Sequence, residues 1–219
     1  MEHSLEILTE LGKASKETLQ MVVIATVVSG VLGLILGLVL YITATPLLYK
    51  NKWLNGIAGF IINIIRSIPF VILLVLLVPV TLKLVGTVIG PTAAAVPLTV
   101  AAIAFFARLA QSAFEEVDKG LIEAAVAMGG SLKDIISGVL LVEALPGLVR
   151  AITVTIISII GFSAMAGIVG GGGIGDLAIR FGYYRYETDV VFITVALLIV
   201  VVQIIQGSGE KVAKAITKK

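Results

Sequence analysis

Residues 18–49 read TLQMVVIATVVSGVLGLILGLVLYITATPLLY and contain no charged side chain; Glu17 precedes them and Lys50 ends them. A helix crossing the hydrocarbon core of a bilayer needs about 20 mostly apolar residues, so this run suffices by itself. Its residues are continuously apolar and do not alternate, which disfavours a barrel strand. Only helices and closed barrels satisfy their backbone in lipid, so the run reads as a helix. A cleaved signal peptide would need a basic leading segment and a shorter apolar stretch. Here Glu2, Glu6, Glu10 and Glu17 outnumber Lys13 and Lys16, and the segment is expected to be retained.

The same absence of charge recurs along the chain. Beyond Lys50 come Lys52, Arg66 and Lys83, then no charge until Arg108. A charged, irregular stretch runs from Glu115 to Glu143. The interval between Arg150 and Asp176 is uncharged, and so is Val190 to Gly209. Five spans follow, at about 20–45, 54–81, 88–110, 146–168 and 189–207. The expected fold class is all-α: a polytopic membrane helix bundle with five transmembrane helices per chain, 1–219 forming a single domain. Composition agrees. The chain is 58% apolar and 14% charged, with mean hydropathy +1.12, whereas a soluble domain averages about 25% charged. Disordered chains are charge-rich and poor in aliphatics.

The same arithmetic narrows function. A net charge of +2 gives no footprint for nucleic acid, and zero cysteines exclude a thiolate nucleophile or a Cys-ligated metal. The single histidine, His3, sits at the terminus, so no histidine-built metal or acid–base site is expected. No G-x-x-x-x-G-K-[ST] nucleotide loop, Ser/His/acid set or pair of intramembrane carboxylates appears. The expectation is no catalytic residue, no metal and no cofactor in this chain.

Lys and Arg near span ends set orientation, because cytoplasmic loops carry their excess. One side holds the 46–53 loop, the 111–145 loop and the C-terminal tail, with Lys50, Lys52, Arg108, Lys119, Lys133, Arg150, Lys211, Lys214, Lys218 and Lys219. The other holds Lys13, Lys16, Lys83, Arg180 and Arg185. The 111–145 loop and the C-terminus are therefore expected in the cytoplasm and the N-terminus outside.

Several motifs leave two readings open. Gly33 and Gly37 form a GxxxG, one turn after Gly30, which serves close helix packing inside the subunit or a dimer face. Arg66 is the charge inside an apolar run, followed by Ser67 and Pro69. Either it marks a break lining a pathway, or it snorkels to the interface while 52–65 lies along the membrane surface. Pro69 lacks a backbone donor and is expected to kink the helix. Gly170–Gly175 formally fits G-x-G-x-x-G, but that fingerprint has meaning between a strand and a helix. After a membrane helix it reads as a flexible outer loop, with the aromatics of Phe181–Tyr186 at headgroup level.

The 111–145 loop is the most structured polar segment. Leu121–Met128 is a run of helix formers ended by Gly129 and Gly130, residues that supply a left-handed helix stop. Ser131 and Asp134 then make a capping-box-like start to a second helix. A helix of eight residues is about 12 Å long, short enough for a groove on another protein. Ala124, Ala125 and Ala127 permit close contact, and Glu123 offers a charge-assisted partner. The rival readings are a DNA-binding helix–turn–helix and a helix lying on the membrane. Glu115, Glu116, Asp118, Glu123 and Asp134 against Lys119 and Lys133 would repel phosphate, and the alanine face is weakly apolar for an anchor.

At these residues the chain resembles a known family. Glu123-Ala-Ala-Val-Ala-Met-Gly129 is similar to the EAA motif of ABC importer permeases. The later motif positions are Val139, Leu141 and Val142, so its isoleucine is replaced conservatively and its proline is absent, which predicts a locally straighter helix. Phe60–Phe70 (FIINIIRSIPF), Val96–Thr99, Gly120–Ala125, Glu143–Gly147 and Gly161–Met165 resemble permeases of the methionine-uptake type. The resemblance implies a homodimer in a bacterial plasma (inner) membrane, five helices per chain, with the substrate path at the dimer interface. It also implies two copies of a separate ATPase that binds ATP and Mg, and an external substrate-binding protein or lipoprotein. The 121–130 segment would be the coupling helix, placing Glu123, Ala124, Ala125, Met128, Gly129, Gly130 and Ser131 against the ATPase.

Such a permease gives alternating access and supplies no chemistry. Candidate pathway residues are Arg66, Pro69, Ser158, Phe162, Ser163 and Met165; Pro97 and Thr99 share the ambiguity between packing and path. Two alternatives remain: a permease for another small amino acid, and a self-sufficient secondary transporter, whose paired intramembrane acids are missing.

Overall fold

The computed structural model describes residues 2–217, with side chains over 6–217. Glu2, His3, Lys218 and Lys219 enter the charge reading but lie outside the described side chains.

The described residues form helices and turns without strands. In chain order they are α1 (Glu2–Ala44), α2 (Lys52–Ser67), α3 (Phe70–Leu76), α4 (Val78–Val85), α5 (Pro91–Glu115), α6 (Lys119–Ala127), α7 (Leu132–Asp134), α8 (Leu141–Gly167), α9 (Gly173–Leu177) and α10 (Thr188–Ile216). Four helices are long and apolar enough to cross a membrane: α1, α5, the continuous Leu132–Gly167 rod and α10. Lys52–Ser67 and Phe70–Leu76, bent by 106° to each other, make a fifth if the pair is one broken span. The polytopic bundle expected from charge-free intervals is the observed architecture.

Three sequence expectations need correction. First, 54–81 is not one helix. The chain breaks at Ile68 and Pro69, and α3 and α4 follow separately. Pro69 carries no N–H, yet its carbonyl accepts from Ile72 and Leu73 (2.9 and 3.0 Å), so the ring ends one helix and starts the next. Second, the third and fourth spans reach into the polar stretch 111–145. Its first residues belong to α5, and from Leu132 the chain runs without a break into the fourth span. The expected straight helix is also absent: Ile135–Leu140 is a π-helical turn, a widening of the same rod. Third, Gly170–Gly175 is not a free loop. It is a bonded reversal whose backbone meets α1 and α5.

Packing within the membrane bundle relies on small residues. Lipid tails are as apolar as leucine, so helices associate there through close approach. A Cβ built on Gly33 would meet Phe106 at 2.9 Å, and one on Gly37 would meet the Ala107 carbonyl at 2.6 Å and Ala110 Cβ at 2.8 Å. The GxxxG thus seats α1 on α5 inside the subunit. Met21, Ala25, Leu98, Ile159 and Ala166 fill one core, and Tyr41, Phe114, Ile122, Leu140 and Ala144 fill another at the end that carries α6.

Polar side chains bind the broken span to its neighbours. Asn55 Nδ2 donates to the Leu40 carbonyl (2.7 Å) and to Thr43 Oγ1 (3.1 Å). Arg108, on α5, donates to the Gly59 carbonyl (3.1 Å) and Asn63 Oδ1 (3.0 Å) on α2, and to Gln111 (2.8 Å). At the opposite end Arg180 pairs with Asp176 (2.7 Å) and Glu10 (3.1 Å). Burial works against that guanidinium's charge, but the two carboxylates outweigh it and push its pKa up.

Gly37→Val should destabilise the bundle by about 1–3 kcal/mol or more, since overpacking here strikes backbone that cannot yield. Gly12→Ala, where nothing lies within 4 Å of a built Cβ, should leave stability unchanged or slightly raised. Thermal unfolding in detergent measures both.

Candidate functional site

Helix α6 stands at one end of the bundle. Asp118 begins it by accepting from Gly120 N–H at 2.7 Å. Ile122 and Ala125, one turn apart, are buried against Phe114, Val117, Ile135 and Leu140. Fully burying an isoleucine outside lipid is worth about 1.5–3 kcal/mol, so α6 is cemented to the ends of α5 and of the 132–167 rod. Leu121, Glu123, Ala124, Val126 and Met128 remain exposed, Met128 to 82%.

The helix stops by a two-bond left-handed cap. Gly129 adopts φ +80°, its N–H donates to the Val126 carbonyl (2.9 Å), and Gly130 N–H donates to the Ala125 carbonyl (3.0 Å). This pair of bonds is the Schellman pattern, in which glycine meets no Cβ penalty. Ser131 then accepts from Asp134 N–H (3.3 Å) while its own N–H donates to Asp134 Oδ2 (3.1 Å), the reciprocal capping box. The turn between α6 and the rod is therefore specified bond by bond.

Seven coupling candidates divide on this geometry. Glu123, Ala124, Met128, Gly129, Gly130 and Ser131 lie on the exposed tip. Ala125 faces the core, where its small side chain lets α6 approach the bundle and leaves it nothing to offer a partner. Beside the tip, Tyr41, Thr45, Leu47, Glu115, Lys119 and Glu123 line an open cleft of about 540 Å³.

Three of the six pathway candidates converge on a second place. Arg66, Pro69 and Phe162 line one cleft of about 340 Å³ with Ile65, Phe70 and Phe105. Phe70 and Phe162 stack with centroids 4.9 Å apart and ring planes 14° apart. The break at Pro69 thus brings a second-span aromatic onto the fourth span. Ser158, Gly161 and Met165 follow at helical spacing along one accessible face of α8. Ser163 is not on that face; it is 2% exposed and its hydroxyl donates to the Ile160 carbonyl (2.7 Å). Pro97 is buried, and Thr99, half-buried, donates to the Ala95 carbonyl (2.7 Å).

Sequence reasoning missed the role of Arg108, counting it as a flanking charge. Its spacing with Gln111 and Glu115 was the available signal: 108, 111 and 115 share a helix face, and Gln111 Nε2 donates to Glu115 at 2.8 Å. Among the described residues no group of three or more His, Cys, Asp or Glu side chains could hold a metal ion.

Residues 29–209 match the family described as binding-protein-dependent transport system inner membrane component. The chain is 49% identical over 203 residues to a probable D-methionine transport system permease protein MetI of Vibrio cholerae, covering 93% of this chain and 90% of that one. It is 44% identical over 212 residues to the methionine import system permease protein MetP of Bacillus subtilis, covering 97% and 96%. Among solved structures it superposes on a chain of the inward-facing MetNI methionine ABC transporter with TM-score 0.95 and 43% identity, over 97% of this chain and 99% of that one. This chain belongs to the family of binding-protein-dependent transport system inner membrane components, and it is a membrane-spanning transport component.

Proposed function

We propose that this chain is the permease subunit of an ATP-driven methionine importer. It works as a homodimer in the bacterial plasma membrane with two copies of a separate ABC ATPase, fed by an external substrate-binding protein. ATP and Mg belong to the ATPase, and this chain carries no cofactor. The observation that carries the reading is α6: a short helix bonded at both ends, cemented to two long helices by Ile122 and Ala125, and exposed over Glu123, Ala124 and Met128. Relatives named as methionine permeases, similar over nearly the whole chain, supply the substrate.

Mechanically, α6 acts as a rigid handle. Closure of the ATPase dimer displaces it, and the packing of Ile122 against Phe114, Ile135 and Leu140 passes the displacement to α5 and to the 132–167 rod. The face of α8 bearing Ser158, Phe162 and Met165, with Arg66 and Pro69 across the cleft, then changes its access from one side of the membrane to the other. Ala125 and Ser163 take no direct part, because both are buried. Phe70, Phe162 and Met165 offer the soft apolar wall that suits a thioether. The handle and the C-terminus face the cytoplasm, and the N-terminus faces outward.

Glu123→Lys and Gly129→Asp should insert and fold, since both positions are exposed and a non-glycine in the left-handed region costs about 1–2 kcal/mol. Uptake in membrane vesicles should fall at least about tenfold; wild-type uptake by Gly129→Asp with intact control of ATP hydrolysis would defeat the coupling role. Excess unlabelled methionine should abolish uptake of labelled methionine, whereas displacement by a polar amino acid and not by methionine would assign another substrate. Since the chain contains no cysteine, Met128→Cys reports orientation when the chain is expressed without the ATPase: an impermeant thiol reagent should label it in inverted vesicles and not in intact cells.

A further inference from the structure

The reversal after α8 lies outside both the coupling and the pathway assignments. Helix α8 ends at Gly167, two residues after Met165 on the accessible face that also holds Phe162. The chain then turns back through Gly170, Gly172 and Gly173, at φ +86°, +75° and +85°, and enters α9. Such a reversal strands the first backbone N–H groups of the new helix, which have no partner within it. Two of them are met by side chains from α1, 156 residues away along the chain. Gly173 N–H donates to Glu17 Oε2 at 2.8 Å, and Ile174 N–H donates to Thr18 Oγ1 at 2.9 Å.

The contact is tightly built. Thr18 is buried and Glu17 half-buried. A Cβ on Gly172 would strike the Glu17 carboxylate at 2.5 Å, so the glycine turn lies directly on that side chain. A third bond, Gly90 N–H to the Gly170 carbonyl at 2.8 Å, ties the turn to the start of α5. The Arg180 pairs with Asp176 and Glu10 sit nearby, but their arginine is about half exposed, and exposed pairs contribute little. Helix α9 is in turn locked to α8: the place where a Cβ on Gly175 would stand is occupied by Ala164 backbone, and that of Gly167 by Asp176 backbone. Whatever holds α9 therefore sets the rotation of the last turns of α8.

We propose that Glu17 and Thr18 are positioning residues for transport. By capping the reversal they fix the rotation of the α8 face that presents Phe162 and Met165. The proposal rests on the permease reading, in which that face lines the path. A carboxylate suits the place because it accepts from a helix-start N–H and complements the positive end of the helix. An amide keeps the acceptor and loses only the charge, whereas alanine at 17 with valine at 18 leaves both N–H groups unmet.

The test uses the reconstituted permease–ATPase complex and the absence of native cysteine in this chain. Met165→Cys and Val154→Cys place reporters on α8, near to and far from the reversal, at positions of similar exposure (43% and 42%). In the Glu17→Ala/Thr18→Val background the labelling rate at 165 should change about threefold or more, while the rate at 154 stays put. Glu17→Gln should leave both rates as in wild type. With native residues at 154 and 165, the double variant should lose about tenfold in methionine uptake while still hydrolysing ATP, and Glu17→Gln should retain uptake, in line with the usual cost of removing a helix cap. Unchanged labelling at 165 or unchanged uptake in the double variant overturns the proposal. A parallel change at 154 also overturns it, because it would mean general loosening of the bundle. Should the wild-type complex carry no methionine, the permease reading falls, and the comparison of 165 with 154 still decides whether Glu17 and Thr18 set the α8 face.

Discussion

A backbone N–H or C=O without a partner costs several kcal/mol in hydrocarbon, and this cost shapes every departure from helix in the chain. At Ile68–Pro69 the ring that cannot donate is placed where a helix ends, and its carbonyl starts the next. At 168–173 the reversal borrows two acceptors from α1. Several hydroxyls inside the spans are settled locally: Thr43, Thr155 and Ser163 donate to carbonyls three or four residues back. The described interruptions at Ile68–Pro69 and at 168–173 are thus bonded through, the first by backbone carbonyls and the second by side chains as well.

Two kinds of cohesion operate at different heights. Within the membrane there is no hydrophobic gain from joining helices, and Gly33, Gly37 and the alanines of α5 bring backbones close enough for dispersion and packing to act. At the end carrying α6, water is the alternative environment and apolar burial drives association. Ile122, Phe114 and Leu140 there form an ordinary core. That difference suits the proposed division of labour. A membrane region held by shape can shift between arrangements of similar energy, whereas a handle held by burial moves as one piece with the helices it pulls.

The resulting picture separates energy supply from access. The proposed handle, α6, stands at one end of the bundle, while the kinked second span and the α8 face meet at the stacked Phe70 and Phe162. In the proposed complex the ATPase supplies force, and this subunit converts displacement into a change of exposure.

Much of this was legible in the residues alone, for physical reasons. Charge-free intervals locate membrane spans because the bilayer penalises charge at any position, so a one-dimensional count suffices. Gly129, Ser131 and Asp134 are local signals, each acting within four residues, and the turn they foretold is the turn observed. The fate of the second span was not legible, since Pro69 announces a break but not its 106° angle, and α2 is held by Asn55 and Arg108 through contacts with helices distant in sequence. Likewise the sequence could not tell that Ala125 and Ser163 turn inward while Met128 and Met165 turn outward, because that depends on the rotation each helix takes against its neighbours. Nor could composition show that Glu17 completes a turn 156 residues away. What the chain alone determined is what acts over a single helix or a bilayer thickness; what only tertiary structure decided is which distant acceptor meets which stranded donor.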